Sequence, residues 1–249
     1  MFQTHTMMDV QYGALLHQKG ALVFPKNYPV PSRQAPGVVF LHGGAWFAGD
    51  YTDSHCLPRA QYFVGMTGLM AFAANYRLVT PSDYGIFDAI MDDIDAAVAY
   101  LAGQQCVDPA KMFTVGFSAG GNLAVSYGAH RNAAVLPTTV GAPIDLEAWL
   151  AWQDEAGRNS YLAMWEKLYG SPTGYIDMSP VQMVGPASLL LHGQSDNTVP
   201  AQINQAYAAN QVALGIPTRL LELPGDHALT GQEDTIFSEL LRFIIIGDD

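Results

Sequence analysis

The chain has 249 residues, of which 49% are hydrophobic and only 14% charged, so disorder is excluded and a sizeable core is available. Its formal net charge of -12, from 23 acidic and 11 basic side chains, argues against nucleic acid and against anionic membrane surfaces, both of which require clustered Lys and Arg. The length suits one large α/β domain, residues 1–249, with room for a short insertion.

Short apolar runs alternate with longer helical patterns, which predicts an α/β fold with a mainly parallel central sheet flanked by helices. Residues 10–12 and 21–24 are expected as antiparallel edge strands. Buried strands are expected at 38–42 (VVFLH) and 69–75 (LMAFAAN). Residues 88–101 then carry Ile90, Ile94, Val98 and Leu101 along one helical stripe. A third buried strand, 112–116 (MFTVG), runs into a helix at 119–130 that begins with small residues. Residues 146–176 break the rhythm with Trp149, Trp152, Tyr161, Trp165, Tyr169 and Tyr175. This stretch reads either as extra helices packed on the body or as a cap whose aromatics line a pocket. A strand at 188–192 (SLLLH), a helix at 201–214, a weaker strand at 218–223 (TRLLEL) and a helix at 235–245 complete the chain.

Two cysteines, Cys56 and Cys106, make no disulfide framework and no metal or redox pair. Both are expected as free thiols, although a single bridge between them is compatible with the sequence. The N-terminus lacks a basic segment followed by an apolar core, and no apolar run is long enough to span a bilayer. A cytoplasmic protein is therefore expected, and a chain whose signal had been removed would read the same way.

The chemistry concentrates in the turns after predicted strands, where ligands bind in such sheets. Gly116-Phe117-Ser118-Ala119-Gly120 matches G-x-S-x-G between a strand and a helix. A nucleophile on so sharp a turn needs small neighbours, and the turn aims the first helix amides at a developing oxyanion. Ser118 is the candidate nucleophile and Ala119 a candidate oxyanion donor. A second glycine-rich turn, His42-Gly43-Gly44-Ala45-Trp46, offers the unobstructed amides of Gly44 and Ala45 for the same purpose.

A hydroxyl needs a base. Of seven histidines, His227 lies in a turn between a strand and a helix near the C-terminus, whereas His42 and His192 read as anchors of their own turns. Asp196, after the strand 188–192, is the carboxylate expected to orient His227. Asp226 is its rival, but its neighbouring position makes it poorly placed to reach the imidazole. The order Ser118, Asp196, His227 is that expected of a G-x-S-x-G elbow. Trp46, Phe117, Trp149, Trp152 and Trp165 are candidate substrate-binding residues.

These motifs, with Gly49-Asp50, Asn75-Tyr76-Arg77-Leu78, Asp92, GFSAGGNLA, HGQSDNTVP and PGDHAL, resemble the esterase/lipase-like α/β-hydrolases. That group contains acetyl esterases, hormone-sensitive-lipase-like carboxylesterases and small feruloyl and acetylxylan esterases. Ala45 stands where the hormone-sensitive-lipase-like members have a third glycine, and Phe117 where they have aspartate. The likeness thereby moves toward the small feruloyl and acetylxylan esterases and the kynurenine formamidases.

The resemblance implies an α/β-hydrolase fold with residues 146–176 as a short helical cap. It implies a serine carboxylesterase acting on short-chain or aromatic (acetyl- or feruloyl-type) small-molecule esters through an acyl-enzyme. An arylformamidase would use the same triad, and a catalytically silent binding protein would retain only the fold. No metal and no organic cofactor are expected: HExxH, a Cys cluster and a post-strand GxGxxG are all missing. A homo-oligomer is compatible with the sequence.

Overall fold

A computed structural model describes residues 1–26 and 34–246. Eight strands form one sheet: β1 (Thr4–Gln11), β2 (Lys19–Pro25), β3 (Ala35–Leu41), β4 (Met70–Ala74), β5 (Val107–Phe117), β6 (Leu136–Val140), β7 (Ser188–Gly193) and β8 (Thr218–Leu223). Their order is β1-β2-β4-β3-β5-β6-β7-β8. β2 runs antiparallel to both β1 and β4, and all pairs from β4 to β8 are parallel. The sheet is thus mainly parallel, as expected, but β2 lies inside it and only β1 forms that edge.

The helices are α1 (Leu57–Thr67), α2 (Phe87–Ala102), α3 (Ala119–His130), α4 (Leu146–Trp152), α5 (Glu155–Tyr169), α6 (Gly174–Asp177), α7 (Gln202–Ala213) and α8 (Glu233–Ile246). Strand β3 shows how the faces divide. Val38 and Phe40 pack with Phe63 of α1 and Phe237 of α8, whereas Val39 and Leu41 pack with Ile90 and Ile94 of α2 and Leu123 of α3. Strand periodicity sends alternate side chains to opposite layers, and both layers are apolar, so the strand reads as a continuous hydrophobic run.

Among the described residues, α4, α5 and α6 occupy the stretch between β6 and β7. Asp145 caps α4 by accepting from the Ala148 amide at 2.9 Å, and Asp154 caps α5 by accepting from Gly157 at 2.8 Å. Both cysteines are free, with Cys56 buried. No helix among the described residues is long and apolar enough to cross a membrane.

The α3 helix begins where three backbones converge. A Cβ on Gly116 would overlap the Gly120 carbonyl, and one on Gly120 would overlap the carbonyls of His42 and Leu41. The obstacle in each case is main chain, which cannot rotate away. Gly120→Ala is therefore expected to destabilise the fold by about 1–3 kcal/mol, read as a lowered urea midpoint at unchanged slope.

Candidate active site

Every element of the site leaves the same, carboxyl edge of the sheet. Ser118 follows β5, the Gly43–Ala45 turn follows β3, Asp196 follows β7 and His227 follows β8. Ser118 has φ 51° and ψ -120°, a backbone region that costs an L-residue of order 1–3 kcal/mol. The surroundings enforce it. The Ser118 amide donates to Val140 O at 2.9 Å, and Ser118 O accepts from the amides of Gly121 and Asn122 at 2.9 and 3.2 Å.

The imidazole Nδ1 of His227 lies 2.7 Å from Asp196 Oδ2. Asp196 Oδ1 accepts from the amides of Thr198 and Val199 at 2.8 and 2.9 Å. Burial alone would raise the Asp196 carboxyl. The donors on it, His192 and His227 foremost, outweigh burial and hold it well below the usual carboxylate range. Among the described residues Asp226 makes no hydrogen bond to the imidazole. It turns to Thr230, accepting from its amide at 3.0 Å and its hydroxyl at 3.1 Å.

The turn after β3 is strained as well, with Ala45 at φ 50° and Trp46 at φ 67°. Its anchors are the fully buried Trp46 ring, the Val79 amide donating to Trp46 O at 2.9 Å, and the Ala48 amide donating to Gly44 O at 2.9 Å. Among the described residues the amides of Gly44, Ala45 and Ala119 have no hydrogen-bond acceptor. His42 stacks on Tyr76 with ring centroids 4.3 Å apart, and its Nδ1 faces Gly43 O at 2.7 Å. Burial lowers its basicity. It anchors the turn, as expected.

Ser118 and His227 line one cavity of about 270 Å³ with His42, Gly43, Gly44 and Phe117. The Phe117 ring is held from below by the Arg59 guanidinium, 5.1 Å from its centroid, which is itself paired with Glu233 at 3.0 Å. The tryptophans expected to bind substrate are elsewhere. Trp46, Trp149 and Trp165 are 0–3% exposed and pack on one another at centroid separations of 5.9–6.1 Å. The Trp149 indole donates to Thr198 O at 2.8 Å. Trp152 is half exposed. Of the five candidates only Phe117 lines the cavity. The others are corrected to packing or surface positions, because large rings at the root of a helical insertion bury more area against each other than at an open mouth.

Part of the cavity wall comes from residues outside the two glycine-rich motifs and the Asp–His pair. Asp53, Ser54 and His55 line it from the loop before α1, and Val140 and Ala228 close it. Asp50, Asp53 and Ser54 were the available signal, a cluster of turn-forming residues after the glycine-rich turn. Burial, then the Arg59 charge, lowers the basicity of His55.

The eight-stranded, mainly parallel sheet flanked by helices, with a strained serine on the elbow after β5 and an Asp–His pair after β7 and β8, has the α/β-hydrolase fold. Within that class the chain belongs to the BD-FAE family, whose profile matches residues 26–210. No curated protein matches the sequence.

Solved structures with this fold include esterase B from Lactobacillus rhamnosis (TM-score 0.78, 20% identity, 97% of this chain and 85% of that one). A truncated carbohydrate esterase from gut microbiota is similar (TM-score 0.78, 19% identity, 96% and 95% covered). So is the propionate-bound esterase 2 of Thermogutta terrifontis (TM-score 0.72, 21% identity, 98% and 94% covered).

Proposed function

We propose that the chain hydrolyses short-chain carboxylic esters through an acyl-enzyme on Ser118. The observation that carries this is the His227–Asp196 pair at 2.7 Å opening on the cavity that Ser118 also lines. His227 takes the Ser118 proton as the hydroxyl attacks the ester carbonyl. The Gly44, Ala45 and Ala119 amides, without an acceptor among the described residues, receive the oxyanion. His227 then protonates the leaving alcohol, and water activated by the same imidazole releases the acid. Asp196, accepting from Nδ1, leaves Nε2 as the imidazole nitrogen that takes the serine proton in this reading.

The residues in this reading form one hydrolase domain, 1–249, with 146–176 as its cap. The cavity volume of about 270 Å³ favours a small acyl group, and the structurally similar esterase 2 holds propionate. Aromatic acyl groups have less support, because none of the cap tryptophans lines the cavity.

A panel of p-nitrophenyl esters of rising chain length, with methyl ferulate and N-formylkynurenine added, tests the reading. Highest kcat/KM on acetate to butyrate is expected. Better turnover of long chains would overturn the short-chain assignment, and a strong preference for N-formylkynurenine would overturn the ester assignment.

A further inference from the structure

Asp196 carries a second imidazole. His192, the penultimate residue of β7 and 0% exposed, places Nε2 3.1 Å from Asp196 Oδ2, the same oxygen that meets His227. That Nε2 also lies 2.6 Å from Val199 O. Both neighbours are acceptors, so Nε2 must bear a proton. On the other side of the ring, Nδ1 faces the side-chain amide nitrogen of the buried Asn204 at 2.8 Å, a donor from α7. Nδ1 is therefore the acceptor, and the tautomer is set by partners on both sides.

We propose that His192 is a positioning residue for the acid of the triad, its Nε2–H bridging Val199 O and Asp196 Oδ2 so that the carboxylate stays turned toward His227. The inference rests on the triad reading above. The Thr198 and Val199 amides donate to Oδ1 and His227 faces Oδ2, while the single Nε2 proton of His192 is shared between Val199 O, at 2.6 Å, and Oδ2, at 3.1 Å. Without it, Oδ2 holds His227 alone, and only the two amides on Oδ1 oppose rotation of the carboxylate. His192 also draws negative charge from the oxygen that stabilises a protonated His227. The charged and titratable groups facing His192 are Asp196 and, beyond it, His227. Asn204 is neutral, and Asp226 is turned onto Thr230.

The test compares the full-length chain with His192→Met, which removes the donor, and His192→Gln, whose amide restores one near Nε2. Because His192 does not line the cavity, His192→Met is expected to lower kcat about tenfold at unchanged KM on p-nitrophenyl acetate. The acid limb of its kcat/KM profile moves to higher pH. His192→Gln is expected to recover kcat to within about threefold.

Fluorophosphonate labelling of wild-type Ser118 is the control. No adduct overturns the triad, and this inference with it. An adduct in the wild type, together with unchanged kcat and pH profile in His192→Met, overturns this inference alone. Should His192→Met fail to fold, the ¹⁵N shifts of His192 in the wild type decide. Nε2–H with bare Nδ1 is expected, and the opposite tautomer overturns the proposal.

Discussion

Ser118→Ala is expected to lower kcat/KM on p-nitrophenyl acetate by at least about 10⁴-fold, since loss of a triad nucleophile removes the entire covalent route. The fold should be indifferent to the change. The hydroxyl is not needed to hold the turn, which is fixed by backbone bonds from Ser118 to Val140, Gly121 and Asn122. Ser118→Gly extends the prediction. Glycine tolerates φ 51° and ψ -120°, so this variant should be equally inactive yet more stable, by up to about 2 kcal/mol after its own chain entropy is deducted. A rise in urea midpoint with loss of turnover would show strain held at the nucleophile. Residual activity within tenfold of wild type in Ser118→Ala would end the serine mechanism.

Asp93→Ala should have the largest effect on stability. Asp93 is fully buried in α2, and Arg77 grips it with Nε at 2.7 Å, a terminal nitrogen at 2.8 Å and its backbone amide at 2.9 Å. The Gln18 amide donates at 2.8 Å and His17 Nε2 lies 3.1 Å away, so one carboxylate ties α2 to the β1–β2 turn and the exit of β4. Removing it strands the Arg77 guanidinium, whose side chain keeps 27% of its exposure and so some solvation. The cost is expected near the lower end for a broken buried pair, about 3 kcal/mol, a fall of about 6–12 °C in Tm.

The pH dependence has a definite sign. Burial raises the Asp93 carboxyl, but the Arg77 and Gln18 hydrogen bonds outweigh it and the folded value lies below the ordinary one. Its contribution is therefore full above the unfolded value, about pH 4, and lost as pH falls through the folded value. Urea midpoints of wild type and Asp93→Ala should converge at low pH. A constant difference would refute the ionic account.

The parts of the site legible in the sequence were those fixed by local backbone demands. Ser118 needs glycines before and after it, and the turns bearing Asp196 and His227 each follow a strand candidate. Strand β6, LPTTV, was not legible, because its buried Thr138 and Thr139 leave no apolar run to see. Helix α1 was not among the expected helices, although Pro58 stands in its first turn, because Cys56 gives it no side-chain cap to mark its start. The tryptophans of 146–176 misled for a different reason. Aromatic enrichment is the same whether rings face a ligand or each other, and only the third dimension separates the two. The His192–Asp196 contact had no signal beyond proximity in sequence.

The tryptophan cluster has an optical consequence. Three of the four indoles in the chain sit at one junction, where the turn after β3 meets α4 and α5. Native emission should be dominated by rings shielded from water and therefore lie to the blue. Any event that lifts the helical insertion from the glycine-rich turn would shift that emission to the red before the sheet melts. Intrinsic fluorescence thus reports on the seam between the glycine-rich turn and the helices above it, with no label attached.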